Sequence, residues 1–199
     1  VDVWEMLNKE ALNFTLQPIL SEWPSHLTFF PLLRMAAVLV IIHYTNGSPH
    51  ILLTKRNSTL KTHKGEIAFP GGAFSKQDKS LCETAIRETR EEIGLIIEQK
   101  DILGSLQLVR TLTSNFHIIP FVTLQDKIFE TRILINEVQR IIDAPFFDLL
   151  YTLKIDLGHQ TMSTESLYRF NYENEIIWGA TARILKQLYD CLTLKRDFY

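Results

Sequence analysis

Cysteine is scarce in this chain: Cys82 and Cys191 are its only two in 199 residues. They match no zinc-ligand spacing and are too few for a disulfide framework, which favours a reducing compartment. No apolar run approaches the length of a membrane-spanning helix. Neither sign of charge dominates, and a formal net charge of −2 gives no electrostatic case for nucleic acid or an anionic membrane as partner. Internal repeats, low-complexity tracts and composition breaks are all missing. The opening residues Val1-Asp2-Val3-Trp4-Glu5 lack the basic-then-apolar layout of a signal peptide. The closing Arg196-Asp197-Phe198-Tyr199 is not a peroxisomal address of the Ser-Lys-Leu type. What is present is ordinary for a soluble globular chain, with 46% hydrophobic and 22% charged residues. One domain over residues 1–199 is expected, with residues 1–30 as a helical N-terminal extension.

Patterning supplies the elements. Residues 3–20 alternate as an amphipathic helix ending near Pro18. Met35 to His43 is a nearly continuous apolar run and predicts a strand buried on both faces. Asn46-Gly47 signals a turn, after which Ile51 to Lys55 returns as a strand. Residues 57–65 read as loop, and Glu66 to Phe69 as a short strand entering Phe69-Pro70-Gly71-Gly72. Strands are further expected over Ile102 to Thr111, His117 to Leu124, Leu153 to Asp156 and Ser166 to Asn171. Asn136 is placed to cap a helix over Glu137 to Ile142, and Gly179 to Leu194 has helical apolar spacing. The pattern alone specifies an α/β or α+β fold.

The most informative run is Arg87-Glu88-Thr89-Arg90-Glu91-Glu92-Ile93-Gly94-Leu95. Ser80 and Glu83 have capping-box spacing, which starts a helix at Leu81. Gly94 is placed to end it in a left-handed conformation. Glu88, Glu91 and Glu92 fall at i, i+3 and i+4, on one helix face. Glu91 and Glu92 occupy the last turn, where the helix dipole disfavours acids by roughly 0.3–1 kcal/mol each. Hard divalent cations want oxygen ligands of this kind. The competing reading is a solvated acidic face with Glu83–Arg87 and Arg87–Glu91 ion pairs. The Gly-Gly turn just upstream and the misplaced acids favour a site.

This segment resembles the Nudix box, G-x5-E-x7-R-E-U-x-E-E-x-G-U, where U is bulky and apolar. Arg87, Glu88, Glu91, Glu92, Gly94 and Leu95 match its second half. With Gly72 as the opening glycine, Asp78 stands where Glu is usual, and eight residues rather than seven separate it from Arg87. Thr89 replaces a bulkier apolar residue. The longer spacing is similar to that of the coenzyme A pyrophosphatase branch, whose signature reads L-L-T-x-R-[SA]-x3-R-x3-G-x3-F-P-G-G. Leu52-Leu53-Thr54-Lys55-Arg56-Asn57, Lys61, Gly65 and Phe69-Pro70-Gly71-Gly72 follow that spacing throughout. Asn57 replaces Ser or Ala, and Lys61 replaces Arg, keeping charge but losing the bidentate fork. Diffuse similarity extends through Asn136-Glu137-Val138 and Ile177-Trp178-Gly179-Ala180-Thr181-Ala182.

The resemblance implies an α/β/α sandwich with a mixed β-sheet and the acidic helix against it. It implies a cytoplasmic hydrolase, monomeric or homodimeric, acting on a small nucleotide with Mg²⁺ or Mn²⁺. Glu88, Glu91, Glu92 and the Gly72 carbonyl are the implied metal ligands. Arg87 orients the glutamates, and Glu88 and Glu91 complete the catalytic set. Glu91 is the first choice of general base, and Glu130 and Glu137 are later candidates. Glu137 reads better as a first-turn acid of the expected helix. Arg56 and Lys61, with Gly71 and Gly72, are the substrate-binding candidates. Lys55 and Lys64 read as solvated charges, and His63 as a surface histidine. Phe74, Phe116, Tyr168, Tyr172 and Trp178 are aromatics available for stacking, with Trp178 expected to pack.

The implied reaction is cleavage of coenzyme A or a derivative to 4′-phosphopantetheine and 3′,5′-ADP. Another nucleoside diphosphate-linked substrate is the first alternative. The stretch Leu108-Val109-Arg110-Thr111 lacks the proline that marks ADP-ribose enzymes, and no S-Q-P-W-P-F-x-S array of NADH pyrophosphatases is present. A Nudix-fold module that binds a nucleotide without turnover is the second alternative. Its relatives often have eroded box glutamates, whereas all three stand here.

Overall fold

The computed structural model describes residues 8–22, 33–59, 64–111, 114–128, 131–133, 136–156 and 167–194. Helix α1 (Lys9–Leu16) is capped by Asn8 and runs into a 3₁₀ turn at Gln17–Ile19. Strands β1 (Arg34–Thr45) and β2 (Ser48–Arg56) form a hairpin across Asn46-Gly47. Short strands β3 (Ile67–Ala68) and β4 (Gly71–Ala73) precede helix α2 (Leu81–Ile93). Strands β5 (Ile102–Ser105), β6 (Val109–Arg110), β7 (Phe116–Gln125) and β8 (Val138–Pro145) follow. Helix α3 (Phe146–Tyr151), strands β9 (Lys154–Asp156), β10 (Leu167–Tyr172) and β11 (Glu175–Ile177), and helix α4 (Gly179–Leu194) complete the order.

Among the described residues, eight strands form one sheet with the path β3-β2-β1-β7-β5, with β4 on β1, β6 on β7 and β8 on β2. Only the β1–β7 pair in it is parallel, so the sheet is mixed, as expected. Strands β9, β10 and β11 make a second, antiparallel sheet. Alternation along β1 and β2 sends successive side chains to opposite faces. Leu39, Ile41 and Leu52 pack with Leu81, Ala85 and Ile93 of α2. Val40, Ile42, Ile51 and Leu53 pack with Leu12 and Leu16 of α1, Phe146 of α3, Phe170, and Leu185 and Leu188 of α4. The α2 layer and the α1/α3/α4 layer therefore cover opposite faces.

Three expectations are corrected. Residues 138–145 are a strand, not part of a helix: β8 pairs with β2 from His50 to Arg56, and this long ladder overrides the cap signal at Asn136. The strand expected over residues 102–111 is interrupted. From Ser105 to Val109 is four steps, against three from their partners Phe121 to Ile118. The extra residue falls opposite Pro120, which has no amide to donate and accepts from the Leu106 N–H instead. Trp178 is 54% exposed rather than packed. Helix α3, only 6 residues long, is too short to show helical periodicity in the sequence. Also unforeseen is a polar cluster on the α2 face, where Asp143 Oδ1 lies 2.9 Å from His43 Nε2 and 3.2 Å from His50 Nδ1, tying together β1, β2 and β8.

Candidate active site

Helix α2 begins and ends where its sequence requires. Ser80 Oγ accepts the Glu83 N–H at 3.1 Å, and Gly94 closes the helix at φ 70° with its N–H on the Arg90 carbonyl. Glu83 takes the Lys79 amide, which leaves Arg87 for other partners. Thr89, the unusual residue in an apolar position, is fully buried, and its hydroxyl donates to the Ala85 carbonyl at 2.7 Å. That local bond satisfies the only polar atom the substitution adds.

Arg87 is the hub of the acidic face. Its Nε and Nη2 donate to Asp78 Oδ1 and Oδ2 at 2.8 and 3.0 Å. Its Nη1 lies 2.9 Å from both Glu88 Oε1 and Glu91 Oε2. Asp78 is 7% exposed and also accepts from Thr84 Oγ1 at 2.8 Å and the Ser75 N–H at 3.1 Å. The Arg87 hydrogen bond holds the Asp78 carboxyl below the usual carboxylate range, against the opposing effect of burial. Sequence reasoning marked Asp78 only as a departure from a pattern. Its role is to anchor a bidentate fork.

The turn between β3 and β4 brings backbone to two of the glutamates. Gly71 has φ 152°, and a Cβ there would lie 2.3 Å from the Ala37 carbonyl oxygen, so only glycine fits. Its N–H donates to Glu92 Oε2 at 3.2 Å. A Cβ on Gly72 would fall 2.5 Å from the Glu88 carboxylate carbon, so that space belongs to the carboxylate. Glu92 is 4% exposed. Burial pushes its pKa up to about 7, with the Gly71 hydrogen bond opposing and the Glu88 charge adding. Burial likewise raises Glu88, against the hydrogen bond from Arg87.

Two strand ends complete the site. Arg56, the last residue of β2, donates from Nη2 to Glu137 Oε2 at 3.1 Å, and its buried Nε has no hydrogen-bond partner among the described residues. The charges of Arg56 and Glu137 both bear on Glu92. Glu137 is held by its backbone too, since its carbonyl accepts the Asn57 N–H at 2.7 Å. It is therefore not the helix acid expected from sequence but a charged neighbour of the site. Lys55 is not a solvated charge either: it pairs with Glu175. Lys61, His63 and Glu130 lie outside the described residues.

The structure thus brings together Arg56, Gly71, Gly72, Arg87, Glu88, Glu92 and Glu137. Glu91, half exposed, is engaged by Arg87. Among the described residues no three acidic, histidine or cysteine side chains form a complete cation cage. The donor set nonetheless suits a hard divalent cation. Two carboxylates share one turn, one of them buried beside a like charge, and such crowding is relieved by a cation. Of the aromatics, Phe74, Tyr168 and Tyr172 pack against the two cores, and Phe116 lies beneath the Arg34 guanidinium at 4.2 Å. No helix among the described residues is long and apolar enough to cross a membrane.

Comparison with known proteins agrees with this geometry. The family model described as "NUDIX domain" matches residues 33–140. An uncharacterized Nudix hydrolase NudL of Pectobacterium atrosepticum is 35% identical over 189 residues, which is 92% of each chain. A NudL of Yersinia enterocolitica is 35% identical over 158 residues, covering 77% of this chain and 78% of its own. In fold alone, a MutT/nudix family protein from Enterococcus faecalis superposes with TM-score 0.57 at 14% identity, over 94% of this chain and 69% of its own. A NUDIX hydrolase from Alicyclobacillus acidocaldarius gives 0.52 at 21% identity, over 81% and 93%. With the box glutamates gathered at the Gly71-Gly72 turn and the family model covering more than half of its length, the chain belongs to the NUDIX family and is a Nudix hydrolase.

Proposed function

We propose that this Nudix hydrolase is a metal-dependent pyrophosphohydrolase of coenzyme A, or of an acyl or oxidised derivative, yielding 4′-phosphopantetheine and 3′,5′-ADP. The observation that carries the reading is Arg56. The residue singled out by the Leu52–Gly72 spacing stands at the end of β2, facing Glu137 and Glu92, with its side chain still 26% exposed. A guanidinium there suits a diphosphate, whose oxygens accept in its plane. The longer spacing from Asp78 to Arg87 supports the same branch.

Mg²⁺ or Mn²⁺, held by Glu88 and Glu92 with Glu91 and the Gly72 carbonyl, would neutralise charge on the diphosphate oxygens. The remaining work falls to the chain. Arg56 binds the diphosphate, with Lys61 as a second cation. Asp78 fixes Arg87, which fixes Glu88 and Glu91. The Gly71 N–H aims Glu92. Water adds to one phosphorus as the bridging P–O bond breaks, and Glu91 accepts the water proton. Of the N-terminal extension expected over residues 1–30, residues 1–7 and 23–30 lie outside the described residues.

The test is a product assay with coenzyme A and Mg²⁺ or Mn²⁺, beside ADP-ribose, NADH and a diadenosine polyphosphate. Metal-dependent release of 3′,5′-ADP, lost in Glu92→Gln, is the expected outcome. Turnover of another substrate alone would sink the coenzyme A reading, and binding without turnover would make the chain a nucleotide-binding module.

A further inference from the structure

Lys55 and Arg140 stand directly opposite each other on β2 and β8. Like charges in directly opposed positions of an antiparallel pair destabilise it. Here a single carboxylate stands between them. Glu175 of β11 accepts from Lys55 Nζ at 2.5 Å and from Arg140 Nη2 at 3.4 Å, while Arg140 Nη1 reaches Glu173 at 3.0 Å. The Lys55 and Glu175 side chains are 22% and 23% exposed, so water screens the cluster only in part. The hydrogen bond from Lys55 holds the Glu175 carboxyl below its ordinary range.

The clamp sits one residue from the candidate site. The β2–β8 register shifts between Lys55 and Arg56, with Gln139 the extra residue on β8, and such a bulge bends the end of β8. Arg56 then meets Glu137, the residue before β8 begins. Lys55 follows Ile51 and Leu53 on the α4 face, where the hairpin of β10 and β11 also packs through Phe170 and Ile177. The hairpin thus grips the outer face of the strand end whose other face carries Arg56.

We propose that Glu175 is a positioning residue for the diphosphate site: it neutralises the Lys55/Arg140 pair, keeps the bulged ends of β2 and β8 together, and so aligns Arg56 with Glu137 and Glu92. The inference rests on the reading of Arg56 as the diphosphate ligand. Glu175 itself touches no substrate. Its loss therefore weakens binding and leaves the chemical step intact.

The test is calorimetric titration of the full chain with inorganic pyrophosphate, beside coenzyme A kinetics. Glu175→Gln is expected to weaken pyrophosphate binding about fivefold, with a matching rise in KM and kcat within about twofold. Adding Lys55→Met restores affinity, because Arg140 alone is still paired by Glu173. A folded Glu175→Gln that binds like the wild type overturns the inference, as does a double variant no better than the single one. Should Glu175→Gln not fold, Glu175→Asp keeps the charge but shortens the reach, and an intermediate loss is expected; unchanged affinity there overturns the inference. A wild type that binds pyrophosphate without cleaving coenzyme A sinks the substrate reading, and the comparison of variants still decides the role of Glu175. A wild type with no pyrophosphate affinity overturns Arg56 as ligand and this inference with it.

Discussion

At Glu92 a carboxylate is almost wholly withdrawn from water, with Glu88 beside it and one backbone N–H and the Arg56 charge as compensation. Glu92→Gln keeps the acceptor for Gly71 and removes the buried charge. Without metal the variant should be more stable than the wild type by about 1 kcal/mol, read as a higher Tm, while activity falls at least about a hundredfold. Asp78 presents the opposite case, a buried acid with a full set of partners. Asp78→Asn breaks the fork to Arg87 and should cost about 3 kcal/mol at neutral pH. The folded-state pKa of Asp78 lies below its ordinary value of 3.8, so its contribution is complete above that value and is lost as pH falls through the lower folded one. The Tm difference between wild type and Asp78→Asn should therefore be level near neutrality and shrink only in acid. A difference that grows on acidification would contradict the pairing. Gly72→Ala sets a methyl against the Glu88 carboxylate; it should abolish most activity while the far-UV spectrum stays unchanged.

At the scale of elements, α2 places its glutamates through its ends as much as its packing face. Ser80→Ala removes the N-terminal cap and should cost about 1 kcal/mol. Its Tm should fall with KM unaltered, because the acidic turn lies at the other end of the helix. A shift in KM would show that the helix frays as far as Glu88. Strand β8 shows how pairing overrules local signals. Asn136 followed by Glu137 is a plausible helix start, yet Val138, Ile142 and Ala144 bury on the sheet and the seven registered partners on β2 decide the conformation. That choice puts Glu137 beside Arg56. The two-residue β3 had a sequence signal only because it enters Pro70-Gly71-Gly72.

In the whole molecule, the mixed sheet separates the site from much of the stabilising core. Leu12 and Leu16 of α1 are fully buried against the face opposite α2, and Cys191 Sγ of α4 donates to the Thr15 carbonyl at 3.1 Å. Leu12→Ala should cost about 2–5 kcal/mol, while kcat/KM measured well below the Tm stays within about twofold of wild type. A large loss of kcat/KM at that temperature would mean that packing on the α1/α4 face is transmitted through the sheet to the glutamates.

Local chemistry made much of this legible in advance. The i, i+3, i+4 spacing of Glu88, Glu91 and Glu92, Ser80 and Gly94 as helix ends, and Asn46-Gly47 as a hairpin turn all act over a few residues, so the chain order alone determined them. The long apolar run of β1 was equally plain, because burial on both faces leaves few polar positions. Contacts between distant segments were not legible. Asp78 finding Arg87, Glu137 finding Arg56, Glu175 bridging Lys55 and Arg140, and Asp143 joining His43 to His50 depend on strand register and layer packing. Charged side chains carry no short-range label for a partner many residues away. The sequence by itself determined which residues are able to do the chemistry; the tertiary structure alone decided which of them meet, because pairing of β2 with β8 and packing of α2 on the sheet set those distances.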